Sequence, residues 1–258
     1  MCGIFVSIGH QRDVTIDERT TQLLNARGPD SLQHVTLPLP NQTTCAKNES
    51  RKCVTFCSSV LALRGGQIEA QPFVDEPTGS ILCWNGEAWK VDGRVVTGND
   101  TVQVFQELLN AAASSAPGAA IPDVLTSIAG PYAFVFYDAT STTIYYGRDR
   151  LGRRSLTLQR GSDGGMTLCS VAVAKAGDLE EVDPACLHSV KFGDDKILTS
   201  TIPSPAPAPE FNNDSSAAAI PATPSAATTD QLMQHLSESL RLRVLDIPDH
   251  AILIKHHT

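Results

Sequence analysis

The chain alternates short apolar runs with polar, turn-rich segments, and this pattern predicts many strands and few helices. A short apolar run bounded by turn residues is typical of a buried strand. A polar turn joins two runs of aromatic and β-branched residues, 130–138 and 143–147, which together predict a core hairpin. The other predicted strands are 2–8, 54–63, 80–84, 167–172 and 187–191.

Four segments have the spacing of helices: 17–26, 101–113, 121–128 and 230–244. Asp17 is available to cap the first helix, and either Asn99 or Asp100 is available to cap the second. The last helix carries an apolar row spaced four residues apart, Leu232, Leu236, Leu240 and Val244.

Two segments predict irregular chain. Residues 37–52 are polar and contain Pro38 and Pro40, so we expect an exposed loop. Residues 201–229 are rich in Pro, Ala, Ser and Thr, and they contain too few large apolar side chains to pack. This second segment therefore predicts a flexible linker before the last helix.

Composition narrows the class of protein. The chain has 258 residues with 41% hydrophobic content, which is enough to bury a sizeable core. Its formal charge of −8 offers no basic stripe for phosphates, which argues against nucleic-acid and membrane-surface binding. The start lacks a basic segment typical of a signal peptide, and no stretch approaches the ~18 apolar residues of a membrane helix. We expect a cytoplasmic protein whose partners are small molecules or proteins.

The seven cysteines favour reduced thiols over a disulfide framework or a zinc site, because their number is odd and paired Cys-x-x-Cys spacing is absent. Cys2 has a special position. If Met1 is removed, Cys2 carries a thiol and a free α-amine, which titrate near ~8.5 and ~8 respectively. This is the design of an N-terminal nucleophile. The alternative is an ordinary small residue that packs.

Several polar positions allow two interpretations each. Arg64, at the end of a predicted strand, is either a surface charge or a fork for a carboxylate. Asn85 and Gly86 form either a hairpin turn or a close approach of backbone to a ligand. Asp100 is either a helix cap or a site residue. The basic cluster at 147–156 is typical of a solvated or salt-bridged loop.

Taken in order, the motifs resemble one family: the class II glutamine amidotransferase domain of glutamine-dependent asparagine synthetases, and most closely the asparagine synthetase domain-containing proteins of eukaryotes. The ordered set is specific, although each piece alone is weak. The matching pieces are Cys2-Gly3-Ile4, Arg27-Gly28-Pro29-Asp30, Leu63-Arg64-Gly65, Gln71-Pro72, Trp84-Asn85-Gly86-Glu87, Asn99-Asp100-Thr101, Gly130-Pro131, Gly147-Arg148-Asp149 and Gly152-Arg153-Arg154-Ser155-Leu156.

The resemblance implies an α+β fold, a four-layer αββα sandwich of two antiparallel sheets over residues 2–200. This is the N-terminal-nucleophile hydrolase fold, and we expect the linker and a short helix to follow it. The implied reaction is hydrolysis of glutamine to glutamate and ammonia through a Cys2 thioester, with no cofactor and no metal in this domain.

The resemblance also implies a role for each matched residue. Cys2 would be the nucleophile and its α-amine the base. Asn85 and Gly86 would form the oxyanion hole. Arg64 would bind the substrate α-carboxylate, and Glu87 and Asp100 would contact the substrate's α-amino group.

Residues 230–258 resemble the start of an ATP-pyrophosphatase synthetase domain, but the Ser-Gly-Gly-x-Asp loop of that domain does not follow. We therefore expect a chain truncated before the synthetase site, with ATP and Mg²⁺ needed only by the missing domain. Glutamine would be the substrate, a separate synthetase would accept the ammonia, and the setting would be asparagine biosynthesis. The alternative is a non-catalytic interaction or regulatory module that keeps the fold.

Overall fold

The computed structural model describes residues 2–11, 16–39, 52–161, 164–171, 179–192, 197–203 and 226–244. Within these ranges the chain forms strands and helices with the following bounds: β1 Gly3–Gln11, α1 Glu18–Arg27, β2 Ser31–Pro38, β3 Lys52–Val60, β4 Phe73–Val74, β5 Ile81–Gly86, β6 Lys90–Val91, β7 Arg94–Val95, α2 Asp100–Ala112, α3 Pro117–Ser127, β8 Tyr132–Asp138, β9 Thr143–Arg148, β10 Thr157–Arg160, β11 Met166–Cys169, β12 Glu180–Glu181, β13 Cys186–Phe192, β14 Ile197–Pro203 and α4 Ala226–Arg243.

Two six-stranded antiparallel sheets make up the body of the protein. The first has the order β12-β10-β11-β1-β3-β2, and the second has the order β14-β13-β9-β8-β5-β4. Strand β1 lies in the middle of the first sheet, where Phe5 is opposite both Cys169 and Cys57. The residue that precedes β1, Cys2, is therefore held at the end of a central strand.

Apolar side chains divide the molecule into four layers. Between the sheets, Ile4 and Phe56 of the first sheet share a buried cluster with Val135 of the second. On the outer face of the first sheet, Leu24 of α1 packs with Phe5. On the outer face of the second sheet, α2 and α3 contribute to another cluster, with Val104, Leu108 and Ile121 among its members. The predicted αββα sandwich of two antiparallel sheets is confirmed.

Some predicted elements differ from those observed. Strand β2 was not predicted, and the expected loop at 37–52 begins inside it and ends inside β3; residues 40–51 lie outside the described residues. Strand β2 is an edge strand whose residues are half-buried or exposed, so its sequence lacks the apolar run of a buried strand. Helix α3 begins at Pro117, four residues before the predicted start.

The predicted linker and the predicted last helix also differ from the structure. Strand β14 and helix α4 take up 201–203 and 226–229 of the predicted linker, and residues 204–225 lie outside the described residues, as do 245–258. The apolar row predicted for the last helix is exposed, since Leu232 is 66% and Leu240 is 54% accessible. Leu242 of this helix is buried instead. None of the described helices has the length and apolar character needed to cross a bilayer.

Candidate active site

A pocket lies where the ends of β3 and β5 meet the start of α2. It encloses about 490 Å³ of space, with the solvent at its open mouth included. All six residues that the sequence predicts for the site line it: Cys2, Arg64, Asn85, Gly86, Glu87 and Asp100. Residues that are far apart in the sequence thus share one cavity.

Cys2 contributes a thiol that is partly buried in this pocket. Its Sγ donates to the backbone carbonyl of Leu61 at 3.8 Å, in the segment that follows β3. Burial raises the pKa of the Cys2 thiol above its usual value, and the hydrogen bond to Leu61 and, to a smaller extent, the charge of Arg154 oppose that rise. At neutral pH the thiol is protonated, so a reaction that uses it as a nucleophile requires a base.

Two arginines lie close to this thiol. Arg27, in the last turn of α1, donates from Nη1 to Ser155 Oγ at 2.8 Å and to the carbonyl of Ser170. Burial lowers the pKa of Arg27, as does the nearby charge of Arg154. Both guanidinium groups would stabilise the thiolate once a base removes the Cys2 proton.

Asn85 and Gly86 end strand β5 with an uncommon arrangement of polar groups. The Asn85 side chain is 1% exposed, and its Nδ2 atom has no hydrogen-bond partner. A buried donor without an acceptor costs free energy, and because Asn85 lines the pocket, this N–H group is free to donate to a ligand. Gly86 is required by space, because a Cβ there would lie 2.7 Å from the Trp84 ring and 2.7 Å from Tyr132 Cβ.

Asp100 is not the cap of α2. Asn99 caps the helix by accepting from the Thr101 N–H at 2.9 Å. The Asp100 carboxylate is buried, and its Oδ2 accepts from Trp84 Nε1 at 3.0 Å and from the Ala88 N–H at 2.8 Å. Burial raises the pKa of Asp100, while these two hydrogen bonds and the Arg64 charge oppose the rise.

Arg64 is a buried cation, not a surface charge. Its Nη1 donates to the Ala88 carbonyl at 2.9 Å and its Nη2 donates to the Val96 carbonyl at 3.1 Å. Its Nε atom is buried without a partner. The two backbone carbonyls fix the guanidinium plane, so the group is held in one orientation beside Asp100.

Glu87 lies at the rim of the pocket and is already engaged. Its Oε1 accepts from Arg154 Nη2 at 2.7 Å, and its backbone N–H donates to the Pro131 carbonyl at 2.9 Å. The expected contact of Glu87 with a substrate amine would therefore share this carboxylate with Arg154.

Sequence reasoning assigned no role to two further pocket residues, Gln71 and Arg154. Gln71 is buried; its Oε1 accepts from the Trp84 N–H at 2.7 Å and its Nε2 donates to Thr101 Oγ1 at 3.4 Å. The sequence could have indicated both Gln71 and Arg154, because each lies in a motif on which the family resemblance rests.

Elsewhere in the basic cluster, Arg153 pairs with Asp149 at 2.9 Å, as expected for a salt-bridged loop.

Among the residues that the structure describes, no group of three or more His, Cys, Asp or Glu side chains is arranged to hold a metal ion. The chemistry that these residues offer is a thiol, an unpartnered amide donor, and a cation and an anion held side by side.

Comparison with known proteins identifies relatives of this chain. The family model described as "Glutamine amidotransferase domain" matches residues 1–192. "Asparagine synthetase domain-containing protein 1" of Gallus gallus is 34% identical over 179 residues, which cover 67% of this chain and 26% of that protein. The protein of the same name from Homo sapiens is 31% identical over 176 residues, covering 67% and 25% respectively. The chain thus spans about a quarter of the length of the curated relatives it matches.

A solved structure supports the fold alone. The structure described as that of "the allosteric regulatory enzyme of purine biosynthesis" has a TM-score of 0.52 and 16% identity, and the match covers 78% of this chain and 49% of that chain.

Proposed function

This chain belongs to the glutamine amidotransferase domain family, and on that premise we propose that it hydrolyses the side-chain amide of glutamine to glutamate and ammonia at Cys2. One observation carries the proposal. The Cys2 thiol shares its pocket with the Asn85 amide nitrogen, which is a buried donor without an acceptor. Acyl transfer requires a nucleophile, here the thiol, and a nearby hydrogen-bond donor that can stabilise the oxyanion of the intermediate.

The first step begins with activation of the thiol. Removal of Met1 gives Cys2 a free α-amine, whose pKa near ~8 suits a general base at cellular pH. The amine takes the thiol proton, and Sγ attacks the side-chain carbonyl carbon of glutamine. Negative charge then develops on the carbonyl oxygen. Asn85 Nδ2 and the Gly86 backbone N–H stabilise it, each such donor contributing on the order of 3 kcal/mol.

Breakdown of this intermediate forms a thioester and releases ammonia. The carbon–nitrogen bond breaks, and the leaving nitrogen takes the proton that the α-amine holds. Water then attacks the thioester carbonyl and gives a proton to the same amine, and the carbon–sulfur bond breaks as Sγ takes that proton. The products are glutamate and the free Cys2 thiol, so the cycle closes with one water consumed.

Arg64 and Asp100 would together bind the α-carboxylate and the α-ammonium of glutamine. The Arg64 guanidinium, with an unpartnered Nε, offers donors to the α-carboxylate. The Asp100 carboxylate offers an acceptor to the α-ammonium, and Glu87 supplies a second acceptor at the rim. A cation beside an anion is complementary to a free amino acid, which carries both charges.

The wider setting is also part of the proposal. The relatives of this chain are named for an asparagine synthetase domain. The ammonia made at Cys2 would therefore serve an asparagine synthase-like reaction, either on this polypeptide or on a separate synthetase in the cytoplasm. Hydrolysis itself uses only side chains, backbone and water, and ATP and Mg²⁺ would belong to the synthetase step.

The test of the proposal is ammonia release from glutamine by the purified chain. Cys2→Ala should abolish release and leave the fold unchanged by circular dichroism. Cys186→Ala, which removes a partly exposed thiol outside the pocket, is the matched control and should retain activity. Equal release by Cys2→Ala and the wild type would show that the site is not catalytic and would favour a binding module.

A further inference from the structure

Helix α4 contacts the body of the protein through side chains near its C-terminal end. Glu238 Oε1 lies 2.7 Å from Lys90 Nζ, and the Arg243 guanidinium lies over the Trp89 ring, 4.7 Å from its centroid. Leu242, which lies between Glu238 and Arg243 in the sequence, is 6% exposed. The ion pair and the cation–π contact thus join α4 to two adjacent residues of the body, Lys90 and Trp89.

The backbone of this same segment holds the charged pair of the glutamine pocket. The Ala88 N–H donates to Asp100, and the Ala88 carbonyl accepts from Arg64. The second carbonyl that Arg64 contacts belongs to Val96, whose N–H donates to the Trp89 carbonyl at 2.9 Å. A shift of residues 88–90 would therefore move both charges that face the substrate.

The ring of Trp89 is not fixed by a hydrogen bond, although the Trp89 backbone N–H donates to the Ala129 carbonyl at 2.8 Å. Its indole Nε1 is buried without a hydrogen-bond partner, so no acceptor sets the orientation of the ring. The ring has guanidinium groups near it from two sources: Arg153 of the body at 5.8 Å from the centroid, and Arg243 of α4 at the shorter distance. Cation–π attraction falls with distance, so the contact from α4 is the stronger of the two.

We propose that Arg243 and Glu238 of α4 are positioning residues for glutamine: by docking on Trp89 and Lys90, they hold residues 88–90 in the position at which Arg64 and Asp100 bind the substrate. The inference rests on the proposed function of the pocket. It gives α4 a role that its exposed apolar row does not reveal. Undocking of α4 loosens the substrate site without touching Cys2 or Asn85, so it weakens glutamine binding and leaves the chemical step intact.

The experiment compares Arg243→Met with Arg241→Met, a matched loss of one cation on an exposed residue of the same helix. In the full chain, Arg243→Met should raise the KM for glutamine about two- to tenfold, as is typical of residues that couple distant sites, and change kcat by less than about twofold. Arg243→Lys keeps the cation and should restore the KM. Arg241→Met should behave as the wild type.

A second pair of variants tests the ion pair. Glu238→Lys should raise the KM, and combining it with Lys90→Glu should restore it, because the exchange rebuilds the contact with its charges reversed. Asp230→Asn, at an exposed acidic residue of α4, is the control. Amide hydrogen exchange at residues 88–90 should be faster in Arg243→Met than in Arg241→Met, since the route of the effect is this segment.

Glutamine binding is measured in parallel by calorimetry in a Cys2→Ala background, which separates this inference from the proposed reaction. Binding without turnover by the parent chain would contradict the reaction, and the Arg243 comparison would still decide the role of α4. Equal glutamine affinity of Arg243→Met and Arg241→Met, or weaker binding without faster exchange at 88–90, would overturn the positioning role. Failure of the parent chain to bind glutamine would overturn both.

Discussion

Arg64 and Asp100 both form a hydrogen bond with the backbone of one residue, Ala88. Its carbonyl accepts from Arg64 Nη1 at 2.9 Å, and its N–H donates to Asp100 Oδ2 at 2.8 Å. Because one residue orients both side chains, the cation and the anion keep a fixed spacing and present a dipole to the pocket. Each charge also reduces the cost of burying the other, as the effect of Arg64 on the pKa of Asp100 indicates.

Asn85→Ala tests the proposed oxyanion hole. We expect kcat for glutamine hydrolysis to fall about 100- to 1000-fold with little change in KM, because the donor acts on charge that exists only in the transition state. Thermal stability should hardly change, since Nδ2 has no partner to lose. Asn110→Ala, at an exposed helical position, is the control. Unchanged kcat in Asn85→Ala would remove this residue from the mechanism.

Arg64→Lys tests recognition of the α-carboxylate. Lysine keeps the charge but loses the fork, and we expect the KM for glutamine to rise about ten- to a hundredfold. The measurement compares glutamine with 4-aminobutanamide, which has the same side-chain amide and no α-carboxylate. The wild type should strongly prefer glutamine, and Arg64→Lys should lose most of that preference. A preference that survives the substitution would place the carboxylate elsewhere.

Asp100→Asn should separate stability from substrate binding. The folded-state pKa of Asp100 is raised, so the folded protein binds this proton more tightly than the unfolded chain does. The resulting stability is full below the ordinary pKa of ~3.9 and is lost as the pH rises through the folded value. At neutral pH, Asp100→Asn removes a buried charge.

The melting temperature of the variant should therefore rise relative to that of the wild type as the pH increases from 4 to 7, whereas loss of the anion beside Arg64 lowers it at every pH. Glutamine binding should weaken about tenfold or more, because a charged acceptor for the α-ammonium is gone. Melting curves over this pH range and calorimetric titration with glutamine check both parts. A difference in melting temperature that does not move in favour of the variant as the pH rises would contradict the raised pKa of Asp100.

Gly86→Ala tests the space requirement at the end of β5. The added Cβ would lie 2.7 Å from both Trp84 and Tyr132, whose rings stack with centroids 5.1 Å apart. We expect a loss of about 1–3 kcal/mol in the free energy of unfolding, together with loss of turnover. Gly118→Ala, in α3 with open space around it, should be neutral or slightly stabilising and is the control. Equal denaturation midpoints for the two variants would contradict the close contact at Gly86.

The sequence predicts much of the fold because most core strands carry apolar or aromatic runs. Strands β8 and β9 are nearly all buried and were predicted closely. Edge strand β2 was missed, because an edge strand that exposes much of its surface has no such signature. The last helix shows a different limit: an apolar row predicts a packing face, but here the contacts come from Glu238, Leu242 and Arg243.

The site shows the same division. Residues with distinctive side chains in a motif, such as Cys2 and Arg64, were identified from the sequence and share the observed pocket. The role of Ala88 in orienting Arg64 and Asp100 could not be predicted from the sequence, because Ala88 acts through its backbone N–H and carbonyl groups, which almost every residue has. Its importance depends on the path of the chain after β5, which brings that one peptide segment between Arg64 and Asp100.

The central claim is that Cys2 is a working N-terminal nucleophile, and intact mass spectrometry tests it most directly. The purified protein is weighed before and after treatment with a glutamine-analogue electrophile that alkylates the nucleophile. The account predicts loss of Met1 and a single adduct that maps to Cys2, which excess glutamine prevents. Retained Met1, or an adduct that spares Cys2, would contradict the account and leave a folded domain whose pocket serves binding alone.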